Sequence, residues 1–242
     1  MSVESKLQTI AENEQRVYDA GKKAQYDEFW DEFQQNGNRT DYYMAFAGLS
    51  HTCWNEKTFN PKYTIRPNQL QYIFYNKNLP DVYPVLKRNG ITIDVSSVYN
   101  GRYGFQDAAL TTRLPPLHFP DTVNTYLGMF KGCISLETID YLYIVEGKSL
   151  EDAFLNCHSL KNIEIGGVIN YSDVNFQWSP LSIKSMKSII IHLKDLSGSE
   201  NEGKNKLTFS ADCWNILEKE GATSPNGNKW REYVADLGWI AG

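Results

Sequence analysis

The stretch from Met129 to Ile165 says nearly the same thing twice. MFKGCISLETIDYLYI is followed 24 residues later by AFLNCHSLKNIEI, so that Phe130 matches Phe154, Cys133 matches Cys157, Leu136 matches Leu160 and Ile139 matches Ile163. A repeat of roughly 20 to 50 residues constrains a chain strongly. One such unit cannot bury its apolar side alone and gains a core only by stacking on its neighbours.

A three-position signature spreads beyond those two copies: an aliphatic residue, then apolar residues three and five positions on. It occurs as Leu70/Ile73/Tyr75, Leu114/Leu117/Phe119, Leu136/Ile139/Tyr141, Leu160/Ile163/Ile165 and Met186/Ile189/Ile191, with partial copies at Ile91/Ile93 and Leu207/Phe209. The last two positions lie two apart and so share one side of a short strand, facing a core. Irregular spacings of about 18 to 26 residues then predict an α+β, mostly β chain. The expected form is a leucine-rich-repeat right-handed solenoid of about seven short parallel strands, with an N-terminal helix and a C-terminal helical cap. The other half of each unit is looser. DAFLNCHSL (152–160) recurs as GMFKGCISL (128–136) and, one residue shorter, as DAALTTRL (107–114), while AFAGL (45–49) reads as a degenerate first copy. The repeated Phe is expected to fill the side opposite the strands.

The pattern divides the chain into three. Residues 1–36 read as an amphipathic helix over 3–35, with Ile10, Val17 and Ala24 spaced by sevens, serving as a cap or an oligomerisation element. Residues 37–210 hold the repeats. Within them SGSENEGKNK (197–206) reads as a polar, disordered loop. Residues 211–242 form the helical cap, with short amphipathic helices at 211–221 and 229–239.

At F-x-x-C-x-x-L-x-x-I-x-I the sequence resembles the BspA-like (Treponema-type) leucine-rich repeat family, specifically over 128–165 and in degenerate form over about 45–195. VYDAGKKAQYDEFWDEFQQNG, SPLSIKSMKSIIIHLKDLSG and the closing LGW resemble proteins encoded in prophages of gut Firmicutes, among tail and baseplate genes. Only two repeats keep the Cys, and MKSIIIHL stands where the resemblance expects an acidic-aliphatic strand. The resemblance implies a non-enzymatic protein that binds a macromolecule, protein or glycan, as a phage or prophage tail-associated structural or host-recognition component. The alternative it implies is a bacterial cell-surface adhesin of the same family.

Charge and motif content narrow the partners. Residues 1–36 carry eight acids against four bases, which leaves the rest of a chain of formal charge −5 almost neutral and without a basic stripe. Nucleic acid and membrane are therefore not expected as partners, and no apolar run reaches the length of a membrane span. MSVESKLQTIAENEQ has neither the basic nor the apolar region of a secretory signal. The expectation is synthesis in the cytoplasm without a signal peptide, and association with a virion if the tail resemblance holds. Gly147-Lys148-Ser149 lacks the glycine five residues earlier that a phosphate loop needs, Leu142 standing there. No catalytic residue, cofactor or metal is expected. The four Cys show no metal-binding spacing, and Cys133 and Cys157 are expected as stacked, buried small hydrophobes.

One column remains as a candidate site. In the expected alignment, the residue between signature positions two and three points outward from each strand. It reads Phe74, Thr92, His118, Asp140, Glu164, Ile190, Thr208. His118, Asp140 and Glu164 would then stand on consecutive strands, about 5 Å apart, as an acidic recognition spot, a cation site or simply a solvated ladder. Phe74, His118, Asp140 and Glu164 are the candidate binding residues of the strand face.

Overall fold

In the computed structural model the repeat becomes stacked layers, which differ from the expected coil in how their strands are grouped. The structure describes residues 13, 64–65, 69–71, 92–171, 173–220 and 223–242. Among the described residues, apart from the helical Asn13, nine strands and three helices follow in order: β1 (Thr64–Ile65), β2 (Thr92–Ile93), β3 (Arg113–Leu114), β4 (Leu117–His118), β5 (Thr138–Ile144), β6 (Asn162–Gly167), β7 (Asp173–Phe176), α1 (Ile183–Ile191), β8 (Asn205–Phe209), α2 (Ala211–Lys219), α3 (Trp230–Asp236) and β9 (Trp239–Ala241). Every strand pair is parallel. The strands fall into three separate sheets, of two (β1, β2), four (β3, β4, β5, β6) and three (β7, β8, β9). This overturns the single right-handed solenoid of about seven strands. The expected helix over 3–35, the AFAGL unit, and Ile73, Phe74 and Tyr75 lie outside the described residues, apart from Asn13, which is helical.

The four-stranded sheet follows from local chemistry. β5 is TIDYLYI, rich in β-branched and aromatic residues that suit a pleated surface. On one edge it pairs with two short strands, because Pro115 and Pro116 cannot donate to a ladder and split that edge into β3 and β4. On its other edge it pairs with β6.

Beyond β6 the expected next strand, Met186/Ile189/Ile191, is a helix. Met186, Ile189, Ile190 and Leu193 are buried at helical spacing while Ile191 is exposed. Ser182 caps α1 by accepting from the Ser185 amide. The helix then closes the sheet edge with its own hydroxyls. The Ile163 amide donates to Ser185 Oγ and the Ile165 amide to Ser188 Oγ, each at 2.9 Å, and Ser185 Oγ donates to the Lys161 carbonyl at 3.2 Å. Backbone groups that would otherwise await another strand are satisfied.

Opposite the strands, a second backbone ladder links the layers. Gly101, Tyr103, Phe105 and Asp107 donate to the carbonyls of Thr125, Leu127, Met129 and Lys131, and Tyr126, Gly128, Phe130 and Gly132 repeat the pattern onto Ser149, Glu151, Ala153 and Leu155. The left-handed conformation recurs at equivalent places, Tyr103/Gly128/Asp152 and Asp107/Gly132/Asn156. Glycine at 132 serves two ends. Its φ is +75°, and a Cβ there would collide with the Asp107 carboxylate of the layer before. The layer starting at 98 is thus offset from the next by 25 residues, with Phe105 matching Phe130. The expected alignment of DAALTTRL, which put Ala109 in the place of Phe, is corrected accordingly.

The repeated Phe does fill that side, and its column runs the length of the core. Phe105, Phe130, Phe154, Phe176, Phe209 and Trp214 follow one another at ring-centroid distances of 5.7, 5.5, 4.3, 6.1 and 4.8 Å. Beside it the free thiols of Cys133 and Cys157 are buried as expected, donating to the carbonyls of Phe105 at 2.9 Å and Phe130 at 3.1 Å.

The C-terminal segment provides both expected helices and one element that was not anticipated. β9 adds to β8, so the tail is part of a sheet as well as its cover. Trp214 Nε1 donates to the Gly242 carbonyl at 2.7 Å and Trp239 Nε1 to the Lys194 carbonyl at 2.8 Å, which fixes it. The loop expected to be disordered is a series of hydrogen-bonded turns leading into β8. The Gly203 amide donates to the Gly238 carbonyl at 2.8 Å and the Gly198 amide to Glu202 Oε2 at 2.9 Å.

Candidate functional site

The inward residues of the four-stranded sheet, Leu114, Leu117, Ile139, Leu142, Ile163 and Ile165, are all buried. Its outward side chains are therefore the ones available to a partner. Their register differs from the sequence alignment. Leu114 pairs with Ile139 and Leu117 with Leu142, so His118 lies opposite Tyr143 and, across β5, Gly166. On the β6 side, the pairing passes from Ile139↔Ile163 to Leu142↔Ile165, a bulge that puts Asp140 and Tyr141 against Glu164 alone. His118, Asp140 and Glu164 do not form one column. Tyr141, expected to face the core, points outward, and Leu142 takes its place inside.

Each of the three expected residues has its own partner instead. Asp140 accepts from Arg113, from Nε at 2.8 Å and from Nη2 at 2.7 Å. Glu164 pairs with Lys184 of α1 at 3.5 Å, both well exposed. His118 stacks on Tyr143 with centroids 4.3 Å apart and planes within 10°, and lies 6.2 Å from the Tyr141 ring at 22°. Phe74, the fourth candidate, lies outside the described residues. Among the described residues no group of three or more His, Cys, Asp and Glu could hold a metal ion.

The ring cluster is held from below. Tyr126 is fully buried, donating its hydroxyl to the Tyr143 carbonyl at 3.2 Å and accepting from the Val145 amide at 3.0 Å. Burial pushes that phenol well above its ordinary pKa, so it remains a neutral donor at any physiological pH. Tyr141 lies over Gly166, where a Cβ would collide with its hydroxyl. Glycine on β6 is what lets that ring lie across the sheet.

Tyr141 and Tyr143 were not read as site residues. The signal for them was the 25-residue offset from Val98–Phe119 to Val123–Ile144, which sets His118 against Tyr143. A cleft of ≈ 330 Å³ lies elsewhere, lined by Glu151, Asp152, Tyr171, Asp173 and Asn175 among others, where Asp152 pairs with Lys131 at 2.7 Å. Among the described residues no helix is long and apolar enough to cross a membrane. No protein-family model matches the chain, and no curated protein or solved structure matches it either.

Proposed function

We propose that this protein is a non-enzymatic binding module that offers the outward face of β3–β6 to a macromolecular partner, in the setting of a phage or prophage tail, for structure or host recognition. The observation that carries the reading is the cluster His118–Tyr143–Tyr141, three rings standing together on the outer face of a sheet whose inner face is packed. Aromatic side chains give large contact area at small entropic cost and are enriched where surfaces bind. The β6 edge is closed by α1, so on that side the face and not the edge is left for recognition. The resemblance to BspA-like repeats and to prophage tail proteins supports the setting, through the residues on which it was drawn.

The test compares binding of the labelled full-length chain to intact Gram-positive cells with that of H118A/Y143A and of W178A. Trp178 is a half-exposed indole in the turn after β7, off the sheet face. With folding matched by circular dichroism, the double variant is expected to lose tenfold or more in binding while W178A keeps it. Equal binding by all three would remove the sheet face from the function.

A further inference from the structure

The charges around the ring cluster are already matched. Among the described residues Arg113 is engaged with Asp140 and Lys184 with Glu164, so these two cations each stand beside a carboxylate. A nucleic acid or other polyanion needs cations free to meet its phosphates, and an acidic peptide needs the same. The apolar part is also small. Protein partners bury about 800 Å² on each side, around an apolar centre, whereas here there are three rings, with the ion pair of Arg113 and Asp140 beginning at the residue before Tyr141. What fits a few rings beside self-neutralised charges and a tyrosine hydroxyl is a ligand with an apolar face, a hydroxylated edge and no charge.

The column of rings ends on Tyr141, which takes the place left open on β6. In register along the sheet, β4 contributes His118 and β5 contributes Tyr143, while β6 contributes Gly166, with no side chain. The Tyr141 hydroxyl lies over that glycine, and among the described residues it makes no hydrogen bond to the protein. A ligand laid over Tyr143 and Tyr141 would thus meet aromatic surface together with the Tyr141 hydroxyl.

We propose that the His118–Tyr143–Tyr141 cluster is a seat for one ring of a neutral glycan. The sugar lays the C–H bonds of one face against the rings, whose faces carry negative potential. Its hydroxyls meet the Tyr141 hydroxyl and the Arg113–Asp140 pair at the rim. This assignment rests on the sheet face being the binding surface and adds the chemistry of what it takes.

The full-length chain would be titrated with cellotetraose, tetra-N-acetylchitotetraose and maltotetraose, and with a heparin tetrasaccharide as the charged counterpart. The readout is the imidazole C–H resonance of His118, one of four histidines, assigned by its loss in H118A. At least one neutral probe is expected to shift it, with an affinity that changes less than twofold over about a tenfold range of salt. Y143A should weaken that binding tenfold or more, while W178A leaves it within twofold. The proposal is overturned if no neutral probe shifts the resonance, if Y143A binds as wild type does, or if only the heparin probe binds. A protein partner gives a different result: cell binding that needs the sheet face but is abolished by protease treatment of the cells, with none of the neutral probes bound. That would refute the glycan and leave the face as the binding surface.

Discussion

The four-stranded sheet and the three-stranded sheet use the same parallel pairing, yet they are built by different means. In the first, residues 98–167 return to the same place every 24 or 25 residues through tight left-handed turns, and like stacks on like, Phe on Phe and Cys on Cys. In the second, β7 and β8 are joined through α1, and β8 and β9 through α2 and α3, the crossover connections that parallel strands need. The outward face of the first is left to the ring cluster. The second shares its inner side with helices whose buried Met186, Ile189, Trp214, Leu217 and Val234 belong to the common core, and its other side shows Asp173, Asn175, Lys206 and Ile240 exposed. Both sheets therefore keep an outward face, and what sets the first apart is the ring cluster it carries where the second carries Asp173, Asn175 and Lys206.

What joins the two constructions is the aromatic column, and Phe154 is its link, 5.5 Å from Phe130 on one side and 4.3 Å from Phe176 on the other. F154A is therefore the most direct way to break the comparison. Emptying that site should cost about 3–5 kcal/mol. Urea unfolding followed by tryptophan fluorescence and by far-ultraviolet circular dichroism should still give one coincident transition at a lower midpoint, because both regions lean on this ring. Two separated transitions in the wild type would show that they fold independently.

The next effect concerns the junction at α1. S185A removes the acceptor of the Ile163 amide and the donor to the Lys161 carbonyl, a loss of about 1–3 kcal/mol for buried groups left unpaired. Amide exchange localises it. Exchange at Ile163 should accelerate more than at Leu207 in β8, which pairs within the other sheet. Equal acceleration would mean that α1 acts only as general packing and does not specifically close the edge.

This junction also marks where the sequence stopped being legible. The spacing Met186/Ile189/Ile191 satisfies the strand signature, but Met186, Ile189, Ile190 and Leu193 satisfy a helix equally well. Ser182 at the cap and Ser185 and Ser188 facing β6 decided between them. The exact repeat over 128–165 gave β5, β6, the Phe side and the buried thiols directly, because identical residues stack on themselves. The layer before was misaligned because Asp107 invited a match to Asp152, while the true partners had shrunk: Ala108 stands for Cys133 and Thr111 for Leu136. The site suffered most. A one-residue bulge at Asp140–Tyr141 leaves no mark in apolar periodicity, yet it turns Tyr141 outward and breaks the expected carboxylate column.

Alkaline pH offers a probe confined to the repeated region. Burial raises the Cys157 thiol from an ordinary 9.0 to about 12 and moves Cys133 the same way. The folded chain thus holds protons that the unfolded chain releases above about pH 9. This contribution is complete below pH 9 and is lost as pH rises from there toward 12, at about 1.4 kcal/mol per pH unit for each group. Urea midpoints should be level from pH 6 to 8 and fall above 9, and C133A/C157A should flatten the fall. Tyr126, also raised by burial, leaves a residual slope beginning near pH 10. An unchanged slope in the double variant would show that the thiols ionise without unfolding the layers.

The smallest effect should be a gain. Thr111 occupies the place of Leu136 and Leu160 in the layers that follow, is 1% exposed, and its Oγ1 has no hydrogen-bond partner among the described residues. Its amide is satisfied by the Ala108 carbonyl, so the backbone asks nothing of the hydroxyl. T111V keeps the branched shape and removes the orphaned group, which should raise stability by about 1 kcal/mol. T111L, which restores the residue of the other layers, tests a different point. If the first layer has closed around the smaller side chain, leucine overpacks it and costs about 1–3 kcal/mol. If it has the same width as the next two, leucine stabilises more than valine. Urea midpoints of the two variants, set side by side, therefore measure how alike the repeated layers are where their sequences part.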